Sequence, residues 1–103
     1  MPETLSVYWH GKTMFENGVA EASTMGDGFW NINRVLVNPK ILRGKGIGSK
    51  LLQELIEKIR NADGKKIIVW PGGYDDNKKK QVNFYIKNGF KKYKEGYFLW
   101  LKK

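Results

Sequence analysis

The sequence contains no cysteine, a single histidine and no long apolar run. Without cysteine, disulfide bonds, thiolate metal ligands and a cysteine nucleophile are excluded, and with His10 alone we expect no histidine-based metal site. No apolar run approaches the roughly 18 residues of a membrane span. The stretch "MPETLSVYWH" lacks the basic and apolar regions of a secretory signal. We therefore expect a cytoplasmic protein without a membrane segment or a metal.

The length and composition fit one small domain. The chain has 103 residues, of which 41% are hydrophobic and 14% aromatic, which is enough for one core and too apolar for a disordered segment. We find no internal repeat, low-complexity tract or linker. We therefore predict a single domain over residues 1–103.

The positive charge is unevenly distributed along the chain. The net charge is +9, yet residues 1–42 hold three basic against four acidic residues, whereas residues 43–103 hold sixteen against six. An anionic ligand or partner near the C-terminal part would account for this asymmetry, for example a phosphorylated cofactor, a nucleic acid or an acidic membrane surface. Lysines that only keep solvated faces soluble would account for part of it.

Hydrophobic periodicity predicts strands and helices in the order βββ-α-β-α-ββ. The strands are expected at residues 4–10, 18–25, 29–37, 66–70, 90–93 and 97–102, and the helices at 47 to about 61 and at about 77–88. The first helix ends at "NADG", where Gly64 could take the left-handed conformation. The fold class is α/β (α+β), a mixed sheet with helices packed on it.

Two of these elements lead to specific expectations about packing. A strand–helix–strand unit makes a parallel crossover, so Leu36 and Val37 should run parallel to Ile68 and Val69. The apolar positions of the second helix predict a buried side made of Val82, Tyr85 and Ile86.

A glycine-rich segment opens the first helix. In "LRGKGIGSK" three glycines alternate with other residues, and Arg43 and Lys45 add positive charge. The unpaired N–H groups of a helix N-terminus bind anions such as phosphate, and glycines let the backbone approach the ligand. The order of Ser49 and Lys50 is not that of a P-loop, and "GKGIGS" is not G-x-G-x-x-G. We predict a pyrophosphate site at residues 43–49.

The segment "RGKGIG" matches Q/R-x-x-G-x-G/A, the signature of the GNAT superfamily of N-acetyltransferases. The strand "VLVNP" before it and the helix "GSKLLQELIEKI" after it resemble the corresponding elements of that family. The later stretch "NFYIKNGFKKY" resembles the second family segment, aromatic-Tyr-x-x-x-Gly-Phe. The resemblance covers roughly residues 30–100, and two segments at the correct spacing are more specific than either alone.

The resemblance implies that acetyl-coenzyme A is the co-substrate and lies between two parallel strands that splay apart. The pantetheine arm and thioester would then contact the backbone of Val35, Leu36 and Val37. The pyrophosphate would contact the backbone amides of one continuous segment, namely Arg43, Gly44, Lys45, Gly46, Ile47, Gly48 and Ser49. The chain departs from the family by one extra residue before Arg43. Asn77 lies one position out of register with the family asparagine that touches the cofactor.

Tyr85 matches the family tyrosine that reprotonates the departing thiolate. The ordinary pKa of a phenol lies near that of a thiol, so this proton transfer would be close to balanced. The acetyl group would pass directly to a deprotonated amine, with strand amides stabilising the oxyanion. Glu21 is the best-placed carboxylate for a general base, and a relay through bulk water fits equally well. Without the resemblance, Tyr85 also fits a half-buried helix aromatic.

The chain before the third strand is short for the family. Typical members have a strand and two helices there, which build much of the acceptor pocket, whereas only about 30 residues precede the third strand here. We therefore expect an open cleft that takes a lysine or the N-terminus of a partner protein, or that a second copy of the chain completes as a homodimer. A free polyamine fits less well, because a cationic chain repels it.

Two alternatives differ in class from an enzyme. One is a non-catalytic module that binds coenzyme A, which the short front part and the missing general base favour. The other, which the resemblance makes the weaker, is a basic nucleic-acid-binding domain. "NKKKQVNFY" and "KKYKEGYFLWLKK" interleave lysines with aromatics, as single-strand binders do. Against it, these aromatics could all belong to the core.

Overall fold

The fold is known from a computed structural model, which describes residues 3–24, 26–39, 42, 45–71, 75–94 and 96–101, without the side chains of residues 75–77. Within these residues the structure has eight elements in the predicted order: β1 (Glu3–His10), β2 (Asn17–Thr24), β3 (Phe29–Asn38), α1 (Ile47–Asn61), β4 (Lys66–Val69), α2 (Asp75–Lys87), β5 (Lys91–Tyr93) and β6 (Gly96–Trp100). The α/β fold class predicted from the sequence is confirmed.

The six strands of the described part of the chain form one mixed sheet in the order β1-β2-β3-β4-β6-β5. β1, β2 and β3 form an antiparallel meander, and β4, β6 and β5 pair antiparallel at the other side. The pair β3 and β4 is parallel, because α1 carries the chain from the end of one strand back to the start of the other. The sheet thus changes direction at its centre, between β3 and β4.

The core lies on one face of the sheet, here called the inner face, where α1 packs across β1, β2 and β3. The apolar residues of α1 recur every three or four positions, so they line one side of the helix, and they are buried: Leu51, Leu52, Leu55, Ile56 and Ile59. Ala20 and Ala22 of β2 are fully buried beneath them. Each fully buried Leu or Ile stabilises the fold by about 1.5–3 kcal/mol.

α2 lies beside the start of α1 on the inner face. Tyr85 of α2 is buried and Val82 is half-buried, as predicted, but Ile86 is 51% exposed, so the prediction that it is buried is wrong. The physical reason is that α2 packs through a narrow stripe. Phe84 faces α1 and Tyr85 faces Phe90, which leaves the next position around the helix in solvent.

A β-bulge in β3 exchanges the residues that face inward. The register between β2 and β3 shifts by one residue between Glu21 and Ala22, so Asn33 is an extra residue in β3. Before the bulge Ile32 is buried on the inner face, and after it Val37 is. The opposite face of the sheet is here called the outer face. After the bulge, Arg34 and Leu36 of β3 belong to it.

The helices are too short or too polar for a membrane span. Among the described residues, no helix combines the length and the apolarity that crossing a bilayer requires.

Candidate functional site

The two central strands separate after a short common ladder. β3 and β4 pair only from Phe29 to Asn31 on β3 and from Lys66 to Ile68 on β4. The rest of β3, residues 32–38, continues along β2 while β4 ends at Val69. The predicted parallel direction is correct, and Leu36 and Val37 lie beyond the part of β3 that pairs with β4. The offset opens a cleft at the centre of the sheet.

The strand residues that the sequence assigned to the pantetheine arm lie along this cleft. Val35, Leu36 and Val37 pair on their other side with Ala20, Val19 and Gly18 of β2. Leu36 points to the outer face, where it lines a depression, and Val35 points inward toward the start of α1. The side chains of this part of β3 therefore point to both faces of the sheet, and its backbone edge lies at the position expected for an extended ligand.

The N-terminus of α1 is open for an anion. Gly46 is the N-cap residue, with φ 88° and ψ −4°, and its carbonyl accepts the first helical bond from the N–H of Lys50 at 3.0 Å. The N-cap residue itself makes no side-chain hydrogen bond to the helix end, and the first turn of the helix holds no acidic residue. The N–H groups of Ile47, Gly48 and Ser49 have no intrahelical acceptor, by the geometry of a helix.

The exposure of the glycine-rich segment agrees with this assignment as far as the structure describes it. Lys45 and Gly46 are exposed. A Cβ built on Gly46 would have no atom within 4 Å, so its positive φ rather than crowding calls for glycine. Arg43 and Gly44, both assigned to the pyrophosphate, lie outside the described residues, as does the side chain of Asn77.

Three elements converge at Gly48. A Cβ on this residue would lie 3.4 Å from the ring of Phe84 in α2 and 3.9 Å from Val35 in β3. The first turn of α1 can therefore approach both neighbours closely because this position has no side chain.

Asn88, directly after α2, ties the two helices together. Its Nδ2 lies 3.2 Å from Oγ of Ser49, and its Oδ1 accepts a hydrogen bond from Nε2 of Gln53 at 3.0 Å. The hydroxyl of Ser49 is thereby engaged with α2, while its backbone N–H points to the helix end. The sequence reasoning did not single out Asn88, although it stands inside the family segment beside Gly89.

Tyr85 is buried between two aromatic rings. Its ring centroid lies 5.1 Å from that of Phe84 and 5.4 Å from that of Phe90, both in edge-to-face geometry. Burial raises the pKa of Tyr85 to about 12, because the phenolate would lose its hydration. The hydroxyl therefore keeps its proton throughout the neutral range, and its pKa lies further from that of a thiol than the ordinary value does.

Glu21 lies on the outer face of β2, opposite Arg34 of β3. Asn33, the bulge residue, donates a hydrogen bond from Nδ2 to Oε1 of Glu21 at 3.2 Å and another to Oγ of Ser23 at 2.7 Å. Tyr85 belongs to the buried cluster of the inner face. The two residues that the sequence paired as acid and base are thus on opposite faces of the sheet.

An open depression of about 400 Å³ lies on the outer face beside the separated part of β3. Its polar and aromatic lining comes from β1, β2 and β3 and includes Tyr8, His10, Asn17, Arg34 and Asn38. Tyr8 and His10 alternate with the buried Val7, so strand periodicity alone could have assigned them to this face. Among the described residues, no group of side chains is arranged to hold a metal ion.

Comparison with solved structures shows the same fold. An acetyltransferase of the GNAT family from Staphylococcus aureus superposes with a TM-score of 0.70 at 22% identity, over 82% of this chain and 60% of that chain. A GNAT family acetyltransferase from Brucella melitensis in complex with acetyl-CoA gives 0.62 at 24%, over 84% of this chain and 51% of that one. The chain thus spans little more than half of these proteins.

Comparison of sequences identifies the family. The tRNA(Met) cytidine acetyltransferase TmcA 2 of Saccharolobus solfataricus is 41% identical over 61 residues, which are 59% of this chain and 7% of that protein. The family model described as "Acetyltransferase (GNAT) domain" matches residues 3–92, nearly the whole chain. The chain therefore belongs to the GNAT acetyltransferase family.

Proposed function

We propose that the chain is an acetyl-coenzyme A-dependent N-acetyltransferase, which passes the acetyl group directly to a primary amine without a covalent enzyme intermediate. The observation that carries the proposal is the separation of β3 from β4 beside an uncapped helix N-terminus. One cleft thereby offers strand backbone to the thioester arm and helix N–H groups to a diphosphate. Family membership supports the choice of acetyl donor.

The diphosphate is assigned to the backbone of residues 43–49. The first turn of α1 suits this ligand because the turn itself contains no acidic side chain that would repel an anion, and its N-cap residue, Gly46, has no side chain to compete for the N–H groups. Lys45, which is exposed, and Arg43 add positive charge. The backbone of Val35, Leu36 and Val37 is assigned to the pantetheine amides and the thioester carbonyl.

In the transfer step the amine nitrogen bonds to the thioester carbon, and the carbon–sulfur bond breaks as the tetrahedral intermediate collapses. Strand N–H groups of β3 stabilise the oxyanion. Tyr85 donates a hydrogen bond from its O–H to the departing sulfur, and the proton that the amine loses passes through water to Glu21 and from there to the thiolate or the solvent. No charge is left on the protein at the end of the cycle.

The raised pKa changes how Tyr85 acts. With a pKa of about 12 against about 8.5 for a thiol, complete transfer of its proton would be uphill by about 5 kcal/mol. Tyr85 therefore works mainly as a hydrogen-bond donor to the developing thiolate. Glu21, on the other face, acts as the base through an intervening water.

The acceptor that we propose is a lysine or the N-terminus of a partner protein. The outer-face depression beside Leu36 is wide and open, and among the described elements neither helix packs over it. A bulky acceptor could therefore reach the thioester from this side. A second copy of the chain could supply a further wall as a homodimer. The single-domain organisation over residues 1–103 and the cytoplasmic location stay predictions from the sequence.

A second candidate acceptor is the exocyclic amine of a nucleobase. The 41%-identical relative is named for the acetylation of tRNA cytidine, and the chain carries a net charge of +9. A cationic surface attracts a polyanionic acceptor and repels a polyamine.

A titration followed by an acceptor panel tests the proposal. Acetyl-coenzyme A at 100 times its Kd should stabilise the protein by about 2.7 kcal/mol. Release of the free thiol is then followed with a lysine peptide, a peptide with a free N-terminus, spermidine and a cytidine-rich RNA, and mass spectrometry locates the added acetyl group. Turnover with a peptide supports the first acceptor, and turnover with RNA supports the second.

The contrary results separate the alternatives. Binding of acetyl-coenzyme A without thiol release on any acceptor would favour the non-catalytic coenzyme A module. Absence of binding at millimolar concentration would overturn the proposal altogether.

A further inference from the structure

The outer face of the sheet carries a row of exposed aromatic side chains from the start of β3 across β4 and β6 to β5. Phe29 is 51% exposed, Trp70 61%, Tyr93 58% and Trp100 56%, and Phe98 lies half-buried among them. These five residues are here called the aromatic face. Large exposed apolar patches are uncommon on monomeric proteins and mark sites of interaction.

The rings are arranged across neighbouring strands. Phe98 lies 6.0 Å from Tyr93 and 6.2 Å from Trp100 between ring centroids, at interplanar angles of 85° and 79°. Trp70 lies over Gly96, where a Cβ would come within 2.9 Å of the indole ring. The backbone register places Phe29, Lys66 and Trp100 side by side on three adjacent strands. The aromatic face thus extends from β3 to β5.

Positive charge is placed inside this group of rings. Nζ of Lys66 lies 4.7 Å from the centroids of both Phe98 and Trp100 and 5.8 Å from that of Tyr93. Lys91 pairs with Phe98 on the same face, and Nζ of Lys94 lies 5.5 Å from the Tyr93 ring. Among the described strand residues of the outer face the acidic side chain is Glu21, two strands away on β2.

We propose that the aromatic face binds single-stranded nucleic acid. Exposed rings on an open sheet are platforms on which unpaired bases stack, and lysines among the rings meet the phosphates. A protein partner fits less well, because the centres of protein–protein interfaces are depleted in lysine whereas Lys66 stands in the middle of this one. The aromatics that the sequence alone could have assigned to the core are therefore divided: Tyr85, Phe90 and Tyr97 are buried, and the aromatic face is not.

This surface is separate from the acetyl-transfer cleft, and binding to it does not depend on the proposed enzyme activity. It adjoins the cleft, because Trp70 directly follows β4 at the end where β4 has left β3. A single strand of nucleic acid bound across the aromatic face could present a base to the cleft, or it could anchor the protein to the nucleic acid.

The test is fluorescence anisotropy with a labelled 15-nucleotide oligouridylate and the corresponding oligothymidylate, titrated at several potassium chloride concentrations. Binding should weaken as salt rises, and Trp100→Ala and Trp70→Ala should each weaken it roughly tenfold, as expected for loss of one stacked base. Phe15→Ala, a change of an even more exposed aromatic residue in the loop before β2, should have no effect. Lys66→Gln should lower the salt dependence of oligonucleotide binding, whereas Lys50→Gln, at an exposed position of α1, should leave it unchanged.

Three results would overturn the proposal. If Trp70→Ala and Trp100→Ala bound the oligonucleotide as tightly as the wild type, the oligonucleotide would be held by charge alone and not by stacking on these rings. If coenzyme A displaced the oligonucleotide, the oligonucleotide would bind at the start of α1 and not on the aromatic face. Absence of binding at low salt, together with a dimer in light scattering that Trp100→Ala dissociates, would make the face a protein interface. Tyr85→Phe should retain oligonucleotide binding whether or not acetyl transfer is observed.

Discussion

Asn88, directly after α2, lies 3.2 Å from Ser49 in the first turn of α1 and 3.0 Å from Gln53 one turn later, and these contacts help to fix the distance between the two helices near the cleft. The same Nδ2 donates to the carbonyl of Phe84 at 2.8 Å, so the side chain is anchored to its own helix as well. The position of Phe84 and Tyr85 relative to the start of α1 therefore depends on Asn88.

Replacing Asn88 should loosen both the fold and the cofactor site. Asn88→Ala removes hydrogen bonds to Ser49 and Gln53, and we expect a loss of about 1–3 kcal/mol in unfolding free energy. The Kd for acetyl-coenzyme A should rise roughly fivefold, since the start of α1 loses its support. Urea unfolding and calorimetry measure the two effects. Asn83→Ala, exposed on the same helix, is the control, and equal effects of the two changes would contradict this role.

Gly46 should be sensitive to conformation rather than to size. Its φ of 88° is in the left-handed region, so Gly46→Val should destabilise the protein by more than the roughly 1–2 kcal/mol typical of an L-residue there. Gly46→Asn should retain most stability and most affinity for acetyl-coenzyme A, because asparagine tolerates this conformation. Thermal melts and cofactor titrations of both variants check this. If the asparagine variant lost as much affinity for acetyl-coenzyme A as the valine variant, crowding against the ligand rather than backbone conformation would be the cause.

Gly48 should respond to size. A methyl group there would touch Phe84 at 3.4 Å, so Gly48→Ala should cost less than about 1 kcal/mol, while Gly48→Val should overpack the junction by about 1–3 kcal/mol. Adding Phe84→Leu to the valine variant should recover part of the stability without restoring cofactor affinity. A double-mutant cycle on unfolding free energies measures the recovery, and strict additivity would rule out this contact.

Tyr85→Phe should reduce kcat by roughly ten- to a hundredfold and leave the KM for acetyl-coenzyme A nearly unchanged, since the hydroxyl acts on the leaving sulfur. In the wild type the rate should rise with pH as the amine acceptor loses its proton. It should show no fall from Tyr85 below about pH 10, because burial raises the pKa of Tyr85 to about 12. Steady-state kinetics across pH test both points, with the exposed Tyr93→Phe as control. An unchanged kcat in Tyr85→Phe would remove the tyrosine from the reaction.

The same pKa predicts a loss of stability in alkali. Above pH 10 the tyrosine ionises in the unfolded chain but stays protonated in the folded one, so the unfolded state binds fewer protons and stability falls as pH rises. The loss of unfolding free energy from this group should reach about 2 kcal/mol near pH 12. Tyr85→Phe should lack it, so urea unfolding of both proteins at pH 9 and 11.5 isolates the contribution from that of the lysines. An equal decrease of the unfolding free energy in the wild type and in Tyr85→Phe would contradict a buried, neutral Tyr85.

The elements were predictable from the sequence because their signals are local. The apolar spacing of α1 and the alternation in β2 and β3 each follow from one segment, and the structure has them within a few residues of the prediction. The helix entrance was predictable for the same reason, since glycines and the absence of acids mark it.

The relations between elements were not predictable in the same way. The parallel ladder stops at Asn31, which depends on how α1 returns the chain to the sheet. At the end of α1, Asp63 takes the positive φ expected for Gly64, and Gly64 instead leaves room for Ile59, with which a Cβ at this position would clash. The separation of Glu21 and Tyr85 onto opposite faces likewise arises only from tertiary packing.

The bulge at Asn33 decides which side chains in the last part of β3 face the helix. A regular strand that kept Asn33 in strict alternation would turn Arg34 and Leu36 toward α1 and Val35 and Val37 toward solvent. A charged guanidinium would then enter the apolar layer where the strand leaves its neighbour. Removing Asn33 alone would keep the present faces, so among natural variants of this domain a one-residue gap in the centre of this strand should fall at the bulge.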